Sequence, residues 1–160
     1  MRVVSVLLVL ALVGCGGPYR ASDFEQRAAH VERLVLVHTK GKLGAAWEQD
    51  LLARLTKSSP VAVKSGGETR EPVEKAETLD AQAVVALEVE RRSRSTLHMD
   101  KLSASHAEEQ SYLVASVRIL EVPSGYLLWE LRIEEQADEA SAEVLARCSE
   151  QVVATWPFEK

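Results

Sequence analysis

The chain has 160 residues, of which 46% are hydrophobic and 27% charged, with 19 Lys plus Arg against 24 Asp plus Glu. Such a composition excludes collagen-like, disulfide-dense and disordered chains, and its acidic balance argues against a nucleic-acid partner. The length suits one domain with a real hydrophobic core; two full domains are not expected.

Residues 1–14 carry one charge, Arg2, and eleven apolar residues. The apolar run from Val6 to Val13 is shorter than the roughly 20 residues that a bilayer-spanning helix needs, so it reads as a cleaved secretory signal. The following tetrapeptide, Leu12-Val13-Gly14-Cys15, resembles the bacterial lipoprotein processing box. That resemblance implies cleavage before Cys15 and a diacylglyceryl group on its sulfur. More than one acyl chain holds a protein stably on a membrane, so no transmembrane helix is needed. Gly16 stands where, in the enteric sorting pattern, the absence of Asp favours the outer membrane. The expected location is therefore the cell envelope, lipid-anchored and facing the periplasm.

From Cys15 onward there are 18 basic and 24 acidic side chains, a formal charge of −6. With Cys15 consumed as a thioether, Cys148 is the sole thiol and no intramolecular disulfide can form. Its place on an apolar helical stripe makes it a small buried hydrophobe rather than a catalytic or intermolecular thiol.

Residues 15–32, opening Gly16-Gly17-Pro18, read as a lipidated tether, with capping-box spacing at Ser22 and Glu25 for a short helix. The globular domain is expected over 33–160. Leu34-Val35-Leu36-Val37 is a strand apolar on both faces. Trp47, Leu51 and Leu55, with Leu52 beside them, mark a core-facing helix over about 44–57. Pro60 stops it, and Val61-Ala62-Val63 forms a short strand before a Ser65-Gly66-Gly67 loop. Pro72 can open a second helix that turns Val73, Ala76 and Leu79 inward. Residues 83–90 alternate as a strand, Val85, Leu87 and Val89 against Glu88 and Glu90. The polar stretch 91–110 reads as the longest loop. Residues 111–122 and 126–135 are β-rich runs joined at Pro123-Ser124-Gly125, a hairpin signature. Val144, Cys148, Val152 and Trp156 mark a closing helix over about 140–156.

The order β-α-β-α-β-β-β-α predicts a single α/β domain with one mixed sheet, parallel at the front and antiparallel in the hairpin, and helices packed on it. Trp47, Trp129 and Trp156 are expected as core anchors.

Two segments resemble small envelope lipoprotein domains, a group that includes the curli-export lipoprotein CsgG, the LpoB-type activators of penicillin-binding proteins and the amino-terminal domain of TolB. The first is Leu79-Asp80-Ala81-Gln82-Ala83-Val84-Val85, a helix-to-strand passage. The second is the hairpin from Ile119 to Trp129, where Glu121 and Ser124 stand for the group's usual Asp and Thr, and Gly125 and Trp129 match. The resemblance implies a non-enzymatic periplasmic adaptor. The chain lacks both the room and the lipid-facing alternation for CsgG-like membrane-spanning hairpins.

Catalytic signals are weak. His98, Asp100, His106, Glu108 and Glu109 could gather metal ligands only as a loop cluster without recognised spacing, and read better as a solvated loop. Lys64-Ser65-Gly66-Gly67 lacks the phosphate-loop frame and reads as a turn. Ser103 and Ser105 near His106 cannot be called a triad from sequence, since a triad is defined by geometry. Neither a metal nor a cofactor is expected, and no catalytic residue is assigned. Arg91, Arg92 and Arg94, with His98 and Lys101 further on, form a basic cluster able to pair with phosphate or carboxylate. Its targets could be a partner's acidic patch, lipid headgroups or lipopolysaccharide; the other reading is a hydrated edge that neutralises Glu88, Glu90, Glu108 and Glu109. The expected function is a lipid-anchored adaptor or accessory subunit that binds an envelope protein. The alternative is an accessory to lipid or lipopolysaccharide transport.

Overall fold

The computed structural model describes residues 17–98, 106–136 and 142–158. Cys15, Asp100, Lys101, Ser103 and Ser105 lie outside them. In chain order the elements are β1 (Tyr19–Arg20), α1 (Phe24–Ala28), β2 (Arg33–His38), α2 (Gly41–Ser58), β3 (Ala62–Glu68), α3 (Pro72–Thr78), β4 (Ala83–His98), β5 (His106–Glu121), β6 (Leu127–Gln136) and α4 (Ala142–Ala154). The strands make one sheet, β1-β6-β5-β4-β2-β3. β2 runs parallel to β3 and β4, and β4, β5 and β6 are antiparallel, so from β2 onward the expected α/β order and mixed sheet hold.

β2 is the clearest case of residues dictating place. Leu34, Val35, Leu36 and Val37 are at most 2% exposed, and the period of two sends them to different sides. Leu34 and Leu36 join the large core with Trp47, Leu51 and Leu55 of α2 and Val144, Cys148 and Val152 of α4. Val35 and Val37 join a smaller cluster with Val84, Ala86 and Ala76 of α3. A strand apolar on both faces therefore lies inside the sheet, with helices on either side. Trp129 is buried at the large core and meets Trp156 edge-on, ring centroids 6.2 Å apart. Trp156 continues to Phe158 at 5.8 Å, and Phe158 to Phe24 at 5.6 Å. Trp156 follows the end of α4 rather than lying on it.

Four expectations need correction. The stretch read as a tether packs on the domain from Tyr19: Tyr19 and Arg20 pair with Glu130 and Trp129 of β6, and Ala21, Phe24 and Val31 are buried in the large core. Ala21, Phe24, Ala28 and Val31 recur at helical spacing around α1, and this face packs on the large core. The supposed loop 91–110 is mostly strand, because β4 and β5 pair from Ala83 opposite Glu121 to His98 opposite His106. Cross-strand hydrogen bonding extended a polar segment that has no apolar face to signal it. β3 runs through Ser65-Gly66-Gly67 instead of stopping before it. A Cβ on Gly66 would lie 2.6 Å from Val35 Cγ1 and 2.7 Å from Val37 Cγ1, so the glycine permits close approach to β2 rather than a turn. Leu79 is 43% exposed, since α3 ends at Thr78.

Candidate functional site: the projecting hairpin

β4 pairs with β2 only from Ala83 to Leu87, but with β5 along its whole length. β5 in turn pairs with β6 only as far as Tyr112 opposite Gln136. The pairs from Ser93 opposite Ser111 to His98 opposite His106 thus stand beyond both neighbours, a projection of about 20 Å at the usual strand rise. Among the described residues both outer edges of this hairpin lack a neighbouring strand, which leaves rows of backbone N–H and C=O groups open to a partner strand.

The strand period divides the arginine cluster. Arg92 lies opposite Tyr112 and Arg94 opposite Gln110, on one face, while Arg91 lies opposite Leu113 on the other. The Arg92 Nη2 donates to Glu90 Oε2 at 2.7 Å, and this hydrogen bond deepens the guanidinium's preference for its charged form. The Arg94 guanidinium lies 5.5 Å over the Tyr112 ring. Around them the bare sheet face alternates in sign. Arg118 is 3.9 Å from Glu88, Arg132 is 3.2 Å from Glu134, and a hollow of about 180 Å³ is lined by Glu88, Glu90, Arg92 and Arg132. The three arginines therefore do not converge on one anion. His98 and His106 are ladder partners, and no group of three His, Cys, Asp or Glu side chains able to hold a metal occurs among the described residues.

Sequence reasoning missed a buried polar cluster at the far ends of β2 and β3. His38 Nδ1 is 2.5 Å from Glu48 Oε2, and both side chains are buried. The Ser65 hydroxyl and the Gly67 N–H, the latter at 3.2 Å, donate to Glu48 Oε1. His38 Nε2 also faces Glu68 Oε2 at 3.8 Å. A signal existed: Glu48 interrupts the inward stripe of Gly44, Trp47, Leu51 and Leu55. The serine bonds to the carboxylate and not to the imidazole, so the ring cannot take its proton as a nucleophile's base would. The cluster works instead as a clasp that satisfies buried polar groups while holding α2 against β2 and β3.

Elsewhere, a groove of about 320 Å³ is lined by Phe24, Ala28, Val31, Val61 and Phe158, with Arg20 at its side. It opens near the start of β2, whereas Arg91 lies eight residues along β4 from Ala83, about 26 Å at the strand rise. Cys148 is a free, buried thiol; burial first, then the nearby Glu135 charge, push its pKa from an ordinary 9.0 up to about 11. It is therefore a poor nucleophile.

No protein-family model matches the chain, and no curated protein matches it. Solved structures do. PelC from Paraburkholderia phytofirmans, solved as a dodecamer, aligns with a TM-score of 0.55 and 13% identity over 81% of this chain and 90% of that one. A point variant of the same PelC, also a dodecamer, gives 0.52 and 14% over 78% and 88%. Lipoprotein GNA1162 from Neisseria meningitidis aligns at 0.45 and 13% over 76% and 95%. At these identities the likeness is one of architecture: this chain has the fold of PelC.

Proposed function

We propose that the protein is a lipid-anchored accessory subunit of the cell envelope, held by acyl chains on Cys15, that works without catalysis by docking another protein on its β4–β5 hairpin. The observation that carries this reading is the projection of that hairpin beyond β2 and β6, with two backbone edges uncovered among the described residues. An edge of this kind is stabilised by an added strand, while charged side chains such as Arg92 and Arg94 restrict which strands fit. The dodecameric state of both PelC structures, whose fold this chain shares, supports self-association as one form of docking. The suggested grouping with CsgG, LpoB-type activators and the amino-terminal domain of TolB agrees with a lipoprotein adaptor.

A photocrosslinking residue placed at Ser93 or Ser95 in growing cells tests the reading. A discrete adduct, with this chain or another envelope protein, is expected at the hairpin and not at Lys57 on α2. Failure to form a discrete adduct at either hairpin position sinks it. The transport-accessory alternative needs the groove and the arginines in one site, and the two lie well apart.

A further inference from the structure

We infer that the β1 edge of the sheet lies against the headgroup layer of the membrane, with Tyr19 as its interfacial side chain. The inference rests on the reading that Cys15 is acylated, and adds to it an orientation.

The reason is reach. A free tether of residues 15–32 would let the domain drift tens of ångströms from the bilayer at about 3.5 Å per residue. The structure instead docks Tyr19 and Arg20 on β6 through the pairs Tyr19 with Glu130 and Arg20 with Trp129. Only Gly16, Gly17 and Pro18 remain between the sheet and Cys15. Four Cα steps span at most about 14 Å, so the β1 edge cannot leave the neighbourhood of the headgroups while the acyl chains stay buried. β3, at the opposite edge, lies five strand spacings away, about 24 Å.

The side chain at this edge suits the place. Tyr19 is 49% exposed, more than Leu79 and Tyr126, the other exposed large apolar side chains among the described residues. A tyrosine combines an apolar ring with a hydroxyl that stays wet, the combination found at membrane–water interfaces. Tyr126, 38% exposed, immediately precedes β6, the strand that β1 covers. Charge adds little: Arg20 is ion-paired with Glu25, and Glu130 lies opposite Tyr19. The contact should accordingly form on zwitterionic as well as anionic lipid.

The test uses the lipidated protein in phosphatidylcholine vesicles, with Glu130→Cys beside Tyr19 or Lys64→Cys on the far edge strand, probed by a bulky water-soluble maleimide. Buried Cys148 stays silent. Anchoring should slow labelling at Glu130→Cys about tenfold relative to the same variant carrying Cys15→Ser, the effect of a contact of about 1.4 kcal/mol. Lys64→Cys should label equally in both, and adding Tyr19→Ala should narrow, without abolishing, the difference at Glu130→Cys between the lipidated and Cys15→Ser proteins. Protein that floats with vesicles yet labels equally at Glu130→Cys overturns the orientation, as does equal slowing at Lys64→Cys. Protein that neither floats nor carries lipid mass on Cys15 overturns the anchor reading itself, and this inference with it.

Discussion

The two halves of β4 make an instructive contrast. Ala83 to Leu87 is entirely buried between β2 and β5, and its residues are Ala, Val, Val, Ala and Leu. From Glu88 onward the same strand carries Glu88, Glu90, Arg91, Arg92 and Arg94 and keeps only β5 beside it among the described residues. The first half is held by apolar burial on both faces. Beyond Val89, which packs against the large core, the second is held by ladder hydrogen bonds and cross-strand pairs, such as Arg94 over Tyr112. Regular backbone therefore does not mark the apolar core, and the more polar half is the one whose outer edges lack a neighbouring strand among the described residues.

That contrast can be broken or sharpened by substitution. The largest effect is expected at Leu87, fully buried in the first half: Leu87→Ala should cost about 2–5 kcal/mol in chemical denaturation, through lost burial and a residual cavity. A cost under about 1 kcal/mol would mean that the two halves are equally dispensable. Next comes the clasp beside the apolar half. Glu48→Ala strands the buried His38 ring and takes the acceptor from the more exposed Ser65 hydroxyl and Gly67 N–H, and should cost about 2 kcal/mol. A stability unchanged by this substitution would show the clasp to be ornamental.

A smaller effect belongs to Cys148. Its folded pKa of about 11 exceeds the ordinary thiol value of 9.0, so the folded state holds the proton more tightly than the unfolded chain does. This contribution to stability is complete below pH 9 and is lost as pH rises through 11. Over that range the wild-type midpoint should fall more steeply than that of Cys148→Ala, and parallel curves would refute the assignment. The smallest effect on stability is expected at Arg94 on the projecting half. Arg94→Ala should leave the denaturation midpoint unchanged while weakening hairpin adducts in cells; a large loss of stability would mean that the hairpin is part of the core.

Local pattern determined much of this protein. The stripe of Trp47, Leu51 and Leu55, the run from Leu34 to Val37 and the Pro123-Ser124-Gly125 turn are each set by neighbours within a few residues, because helix and strand periods are short-range. From them follow the α/β class, the order of elements from β2 to α4 and the parallel front of the sheet. Tertiary structure alone decided the docking of Tyr19 and Phe24, the passage of β3 through Gly66, the pairing of Glu48 with His38 and the length of the β4–β5 hairpin. Each of these depends on a partner distant in sequence. A polar strand is extended by the hydrogen bonds of the strand beside it, and a lone buried carboxylate is tolerated only where the fold brings it donors.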